Sequence, residues 1–200
     1  MTASAQKPEF HTVVAIVEDK PGVLQRMAGL FRRRGFNIES LTVGQCESEG
    51  LSRVTLVVDG ASATIEQVEK QLYKLIDVVK VSDLSNEATV ERELALVKVR
   101  CNNLNRHELL DIAAVFRADV VDMGSNAIIL QVVGDSEKID GFVAMCEPYG
   151  IRELSRTGRI ALVRGSKTTT VHEEVPEHVQ LVHSSQGRRD EGRELPFSSD

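Results

Sequence analysis

Hydrophobic and polar positions alternate along residues 10–165 in a pattern that changes period repeatedly. HTVVAIV (11–17) places Val13, Ala15 and Val17 on one side and Val14 and Ile16 on the other, which predicts a strand covered on both faces. EDKPG then turns the chain, and Leu24, Met27, Ala28 and Phe31 recur at i, i+3, i+4 and i+7, the spacing of one helix face. Gly35 stands where a left-handed residue would stop that helix. FNIESLTV (36–43) and LSRVTLVV (51–58) read as a hairpin joined by the polar GQCESEG. Ile65, Val68, Leu72 and Leu75 form a second helical face, with Thr64 and Gln67 spaced as a capping box and Ser62 as the other candidate cap. IDVVKVSDL (76–84) closes the unit as a strand, giving the order β-α-β-β-α-β.

The order then recurs. ELALVKVRC (93–101) is a strand, and Asn105 with Glu108 forms a capping-box pattern before Leu109, Ile112, Ala113 and Phe116. DVVDM and NAIILQVV flank a tight turn at Gly124 and Ser125. Ile139, Phe142, Val143 and Cys146 make a fourth helical face, and IRELSR (151–156) a last strand. RIALVRG (159–165) either extends that strand or forms a separate segment. The two halves share topology, with little identity. The expected fold is α+β, two ferredoxin-like βαββαβ domains over 10–85 and 90–165, followed by a polar tail over 166–200. The tail holds seven acids and four bases and is expected to be flexible, with one short helix around 173–183. Units of about 75 residues are marginal alone, and their open sheet edges need cover, so a homodimer is expected.

Composition narrows the function. Apolar residues make up 42% of the 200, enough for real cores, yet no run reaches the 18 that a membrane helix needs. No basic start followed by an apolar stretch suggests a secretory signal. Three dispersed cysteines, Cys46, Cys101 and Cys146, fit a reducing compartment, and a cytoplasmic location is expected. A net charge of −6, aromatics at 4% and no tryptophan speak against nucleic acid as a partner. The Arg32–Arg33–Arg34 run complements a helix C-terminus or meets a partner protein.

Catalytic patterns are missing. There is no G-x-G-x-x-G, no phosphate loop, no G-x-S-x-G and no C-x-x-C. His172, His178 and His183 in the tail lack neighbouring cysteines, and His107 stands in the first turn of a predicted helix, so no metal or catalytic site is expected. The loop from the first strand to the first helix is different. Gly22 allows close backbone approach, Pro21 suits the turn or the first helical position, and free helix N–H groups would face whatever sits above. Asp19 could take an ammonium, making an amino-acid clamp; equally, D-x-P-G is an ordinary turn with Asp19 as helix cap. Asn37 is either a turn residue or, in a dimer paired by its sheet edges, a group reaching the other chain's loop.

VEDKPGVLQRMAGLFRRRGFNIESLTVG, LSRVTLVV, QVEKQLYKLIDVVKV and VERELALVKV together resemble the small, regulatory subunit family of acetolactate synthase (acetohydroxyacid synthase), over residues 10–165. The resemblance implies that the first unit is an ACT domain, the amino-acid-sensing form of the fold. It implies a subunit without catalysis or bound cofactor of its own. Its partner would be a large subunit using thiamine diphosphate, Mg²⁺ and usually FAD to condense pyruvate with pyruvate or 2-oxobutyrate. The small subunit would activate that enzyme and confer feedback inhibition by valine or another branched-chain amino acid, in valine, leucine and isoleucine synthesis. The implied effector site is Asp19, Lys20, Pro21, Gly22, Val23 and Leu24 of one chain with Asn37 and Ile38 of the neighbouring chain. Gly22 would offer N–H groups to the effector carboxylate. Asp19 falls where several relatives have Asn. The competing readings are a free-standing ACT protein controlling another enzyme, and a small enzyme on a ferredoxin-like scaffold.

Overall fold

A computed structural model describes residues 10–60 and 62–171. The short helix expected around 173–183 and the three tail histidines lie outside them. The first domain runs β1 (Phe10–Glu18), α1 (Val23–Arg34), β2 (Asn37–Gln45), β3 (Leu51–Asp59), α2 (Ser62–Leu72) and β4 (Val78–Asp83), with sheet order β2-β3-β1-β4. The second runs β5 (Thr89–Arg100), α3 (Arg106–Phe116), β6 (Asp119–Met123), β7 (Ala127–Gly134), α4 (Ser136–Cys146) and β8 (Ile151–Arg156), with order β6-β7-β5-β8. A 3₁₀ turn at Glu147–Tyr149 joins α4 to β8. Both are α+β sheets with antiparallel neighbours and helices over one face.

The central strand β1 is valine-rich because it is buried on both sides. Val13, Ala15 and Val17 join the core beneath α1 and α2, with Leu56, Ile65, Val68 and Leu72. Val14 and Ile16 face the other way, into a smaller cluster with Leu51, Leu84 and Ala161. Helix α1 buries Val23, Met27, Leu30 and Phe31, not the predicted stripe through Leu24 and Ala28, both of which are exposed. Met27 and Phe31 belong to both stripes; Val23 and Leu30 complete the buried one at i, i+4, i+7 and i+8. Gly35, at φ 69°, ends the helix by donating its N–H to the Phe31 and Arg32 carbonyls.

The second core gathers Ala95, Val97, Leu109, Ile128, Leu130, Ile139 and Phe142. Here the expected capping box does not form. Asn105 occupies the N-cap with α-like dihedrals and no side-chain cap bond. Its Oδ1 accepts from the Asn102 N–H (2.7 Å) and its amide donates to the Arg100 carbonyl (3.3 Å), so the side chain is spent on the preceding loop. Glu108 instead takes a hydrogen bond from Tyr149, which raises that phenol's pKa.

The open face of the first sheet is covered from within the chain. RIALVRG contains a separate strand, β9 (Ile160–Val163), which pairs with Thr89–Arg92 at the start of β5. Arg53 donates to the Ala161 carbonyl (2.9 Å), tying β3 to β9. The first residues of the expected tail are held here too: Thr169 is buried, Lys80 donates to the Thr170 carbonyl (2.7 Å), and Lys167 pairs with Glu87.

Candidate functional site

The β1–α1 connection is anchored on both sides. The Asp19 N–H donates to the Gly50 carbonyl (2.8 Å) and the Glu18 N–H to the Asp77 carbonyl (2.9 Å). Lys20 Nζ lies 2.8 Å from the buried carboxylate of Glu18. Pro21 and Gly22 then make the turn, so Pro21 precedes the helix instead of opening it. Gly22 is the N-cap at φ 87°, in the left-handed region that favours glycine, and its carbonyl accepts the first helical bond from Arg26 (3.0 Å). No side chain caps the helix. D-x-P-G therefore forms a turn, as expected, but Asp19 does not cap the helix. First-turn N–H groups lack an intrahelical acceptor and make this end of the helix electropositive, with the Val23 N–H donating to the Lys20 carbonyl (3.4 Å).

Sequence reasoning missed the residue that finishes this loop. Arg26 Nε bonds the buried Asp77 carboxylate at 2.7 Å, and a side chain at Gly22 would bring its Cβ to 3.2 Å from Arg26 Nη1. The signal was present, since i+4 from Gly22 is where a helical arginine folds back over the first turn. Asp77 lies 51 residues beyond Arg26, and only tertiary folding brings it close.

The structure brings Asp19, Lys20, Pro21, Gly22, Val23 and Leu24 together as one loop. The side chain of Val23 belongs to the core, whereas Asp19, Lys20, Pro21 and Leu24 are exposed. Asn37 and Ile38 are elsewhere. They follow the far end of α1, about 18 Å along a 12-residue helix. Asn37 is exposed and pairs with Asp59, in register with Phe10, at the opposite end of the sheet from Glu18 and Leu51. Ile38 packs against the first core. Within one chain the two halves of the implied site do not meet.

Strand β2 is a sheet edge. Its Leu41 and Val43 pair with Leu56 and Val54, which face the helices, yet remain 44% and 40% exposed. Three cavities, of about 350, 400 and 670 Å³, lie along the seam between the domains and do not include the loop. Among the described residues no group of three or more His, Cys, Asp or Glu is placed to hold a metal, and no helix is long and apolar enough to cross a membrane.

Two ferredoxin-like domains in tandem, the first with a glycine-capped loop at the end of its central strand and an open edge at β2, define an ACT-domain protein with an appended α+β domain. Comparison with known proteins agrees for each half. Residues 14–80 match the family model described as AHAS small subunit-like ACT domain, and residues 92–165 the model described as small subunit of acetolactate synthase. A probable acetolactate synthase small subunit of Archaeoglobus fulgidus is 52% identical over 157 residues, 78% of this chain and 98% of the relative. The acetolactate synthase small subunit of Mycobacterium bovis is 43% identical over 160 residues, 80% of this chain and 95% of its own. The crystal structure of the Thermotoga maritima acetolactate synthase small subunit superposes with a TM-score of 0.74 at 40% identity, covering 79% of this chain and 99% of that one. The chain belongs to the acetolactate synthase small subunit family, and membership implies a large-subunit partner.

Proposed function

We propose that this chain is the regulatory subunit of an acetolactate synthase. It binds and activates the catalytic large subunit and makes it subject to feedback inhibition by valine or another branched-chain amino acid. Thiamine diphosphate, Mg²⁺ and usually FAD belong to the large subunit, and this chain binds none of them. The functional unit is a cytoplasmic homodimer bound to that partner.

The observation that carries the effector reading is the relation between the Gly22 loop and the β2 edge. Asn37 lies at one end of β2, and Gln45 at the other pairs with Ser52, itself opposite Val17, just before the loop leaves β1. Antiparallel pairing of two β2 strands centred on Leu41 sets the partner's Asn37 against Gln45. A two-fold axis there brings the partner's Asn37 to the sheet end from which the Gly22 loop leaves β1, an end that its own chain leaves without that amide. An amino acid fits the result: helix N–H groups for the carboxylate, Asp19 for the ammonium, and apolar side chains such as Leu24 for the branched group.

The test is reconstitution. Alone, with thiamine diphosphate, Mg²⁺ and FAD supplied, the chain makes no acetolactate from pyruvate. Added to its large subunit, it raises the rate, and valine, leucine or isoleucine lowers it again. Synthesis by the isolated chain, or a large subunit indifferent to its addition, refutes the reading.

A further inference from the structure

The turn between β8 and β9 presses on the first domain at one point and is tied to its surroundings on both sides. Thr157 exchanges two hydrogen bonds with Leu94 of β5: its N–H donates to the Leu94 carbonyl (2.9 Å), and its Oγ1 accepts from the Leu94 N–H (3.0 Å). Arg159 is largely buried at the seam. Its Nη1 lies 3.0 Å from Glu91 and donates to Thr12 of β1 (3.3 Å), while Nη2 donates to Ser136 at the start of α4 (2.9 Å). Ser136 in turn donates to the buried Glu93 carboxylate, which also accepts from Arg156, both at 2.5 Å.

Between these anchors Gly158 lies flat against β2. A Cβ at Gly158 would stand 2.8 Å from the Leu41 carbonyl oxygen and 3.0 Å from its carbon, and would also strike Thr42 Oγ1. That hydroxyl is buried with no hydrogen-bond partner among the described residues. Gly158 is not among the positive-φ glycines, so its backbone suits any residue. Contact with β2 is therefore the obstacle to a side chain there. A cavity of about 670 Å³, lined among others by Phe10, Leu41, Val57, Glu93 and Arg156, adjoins the contact and leaves room for the two sides to shift.

We propose that Thr157–Gly158–Arg159 is the joint through which effector occupancy at the first-domain pair reaches the second domain and the large subunit. Gly158 and Arg159 are positioning residues: Gly158 bears on the strand that forms the pairing edge, and Arg159 transmits its position to β1 and α4. The inference rests on the effector reading above.

The test uses the full chain reconstituted with its large subunit. Gly158→Ala pushes the turn off β2 without straining its own backbone, and Arg159→Gln loosens the anchor without touching β2. Gly124→Ala, in an unrelated turn where a Cβ meets only ordinary contact, is the control. In both variants we expect normal activation and wild-type affinity of the isolated small subunit for the effector, measured calorimetrically. Inhibition of the holoenzyme at saturating effector is largely lost, because the coupling between the sites, typically about 5- to 150-fold, no longer operates. The control behaves as wild type. Wild-type inhibition in both variants overturns the joint, as does loss of activation or effector affinity alongside inhibition, because the turn would then serve only the fold. Should Gly158→Ala fail to fold, Arg159→Gln decides alone. A wild-type holoenzyme indifferent to all three branched-chain amino acids is a different result: it refutes the effector reading, and this inference with it.

Discussion

Gly22 meets two demands, each disfavouring a side chain: a left-handed backbone, and close approach to Arg26, which Asp77 holds in place. Aspartate tolerates that backbone better than most residues, so Gly22→Asp should leave the fold standing while placing a carboxylate beside the effector's own. Asn37→Ala removes one hydrogen bond from the opposite side. A bond to a charged group is worth roughly 1.5–3 kcal/mol, so half-inhibition by valine should move about ten- to more than a hundredfold in either variant. Activation should persist; valine titration of the reconstituted enzyme checks both, and unchanged inhibition in both sends the effector elsewhere. The thiols make a separate residue-scale prediction. Burial pushes Cys146 up to about 11 from an ordinary 9.0, whereas Cys46 is half-buried near the β2–β3 loop. Alkylation of the native protein at pH 8 should label Cys46 first and reach Cys146 only after unfolding. A thiol pKa raised by folding stabilises the protein below the unfolded value and loses that contribution as pH climbs towards the folded one. Between pH 9 and 11, Cys146→Ala should therefore lose less stability than wild type in urea melts.

Among the elements, α1 combines the cues a sequence states best. Its basic last turn and its glycine stop are local signals, and the helix ends where they say. Its start was harder to read. D-x-P-G offered Asp19 as the cap, whereas Gly22 takes the N-cap position with a left-handed backbone and no side chain caps the helix. Gly35→Ala tests the stop: nothing crowds a Cβ there, so the cost is the left-handed backbone alone, about 1–2 kcal/mol. Thermal melts should show a lower midpoint with the cooperative transition retained. A stability equal to wild type would show that the helix end relaxes into another cap.

At the scale of the molecule, the first domain has one sheet face covered by α1 and α2 and the other by β9 and residues up to Val171. The β2 edge is left with half-exposed Leu41 and Val43. Unpaired edges of this kind associate, and charge on them prevents it. Val43→Lys should convert the proposed dimer to a monomer by light scattering at micromolar concentration, with circular dichroism unchanged. Because the proposed effector site needs Asn37 from a second chain, the same variant should lose effector binding in isolation. A dimer that survives this substitution pairs through another surface.

Period, turn chemistry and charge are local properties, and they carried far here. They determined both βαββαβ units, the helical faces of α2, α3 and α4, the two-sided burial of β1 and the glycine loop after it. Each follows from side chains a few residues apart, where backbone geometry dictates who shares a face. Tertiary structure decided what depends on distant partners. Asn105 abandoned its capping box for the loop before it, and Asp77 came from 51 residues away to hold Arg26 over Gly22. RIALVRG became a separate strand because the start of β5 and the bare face of the first sheet offered pairing and cover together. Gly158 reads as an unremarked linker glycine until β2 lies against it. Contacts across such separations leave no period in a single chain, since nothing in the intervening residues records which surfaces will meet.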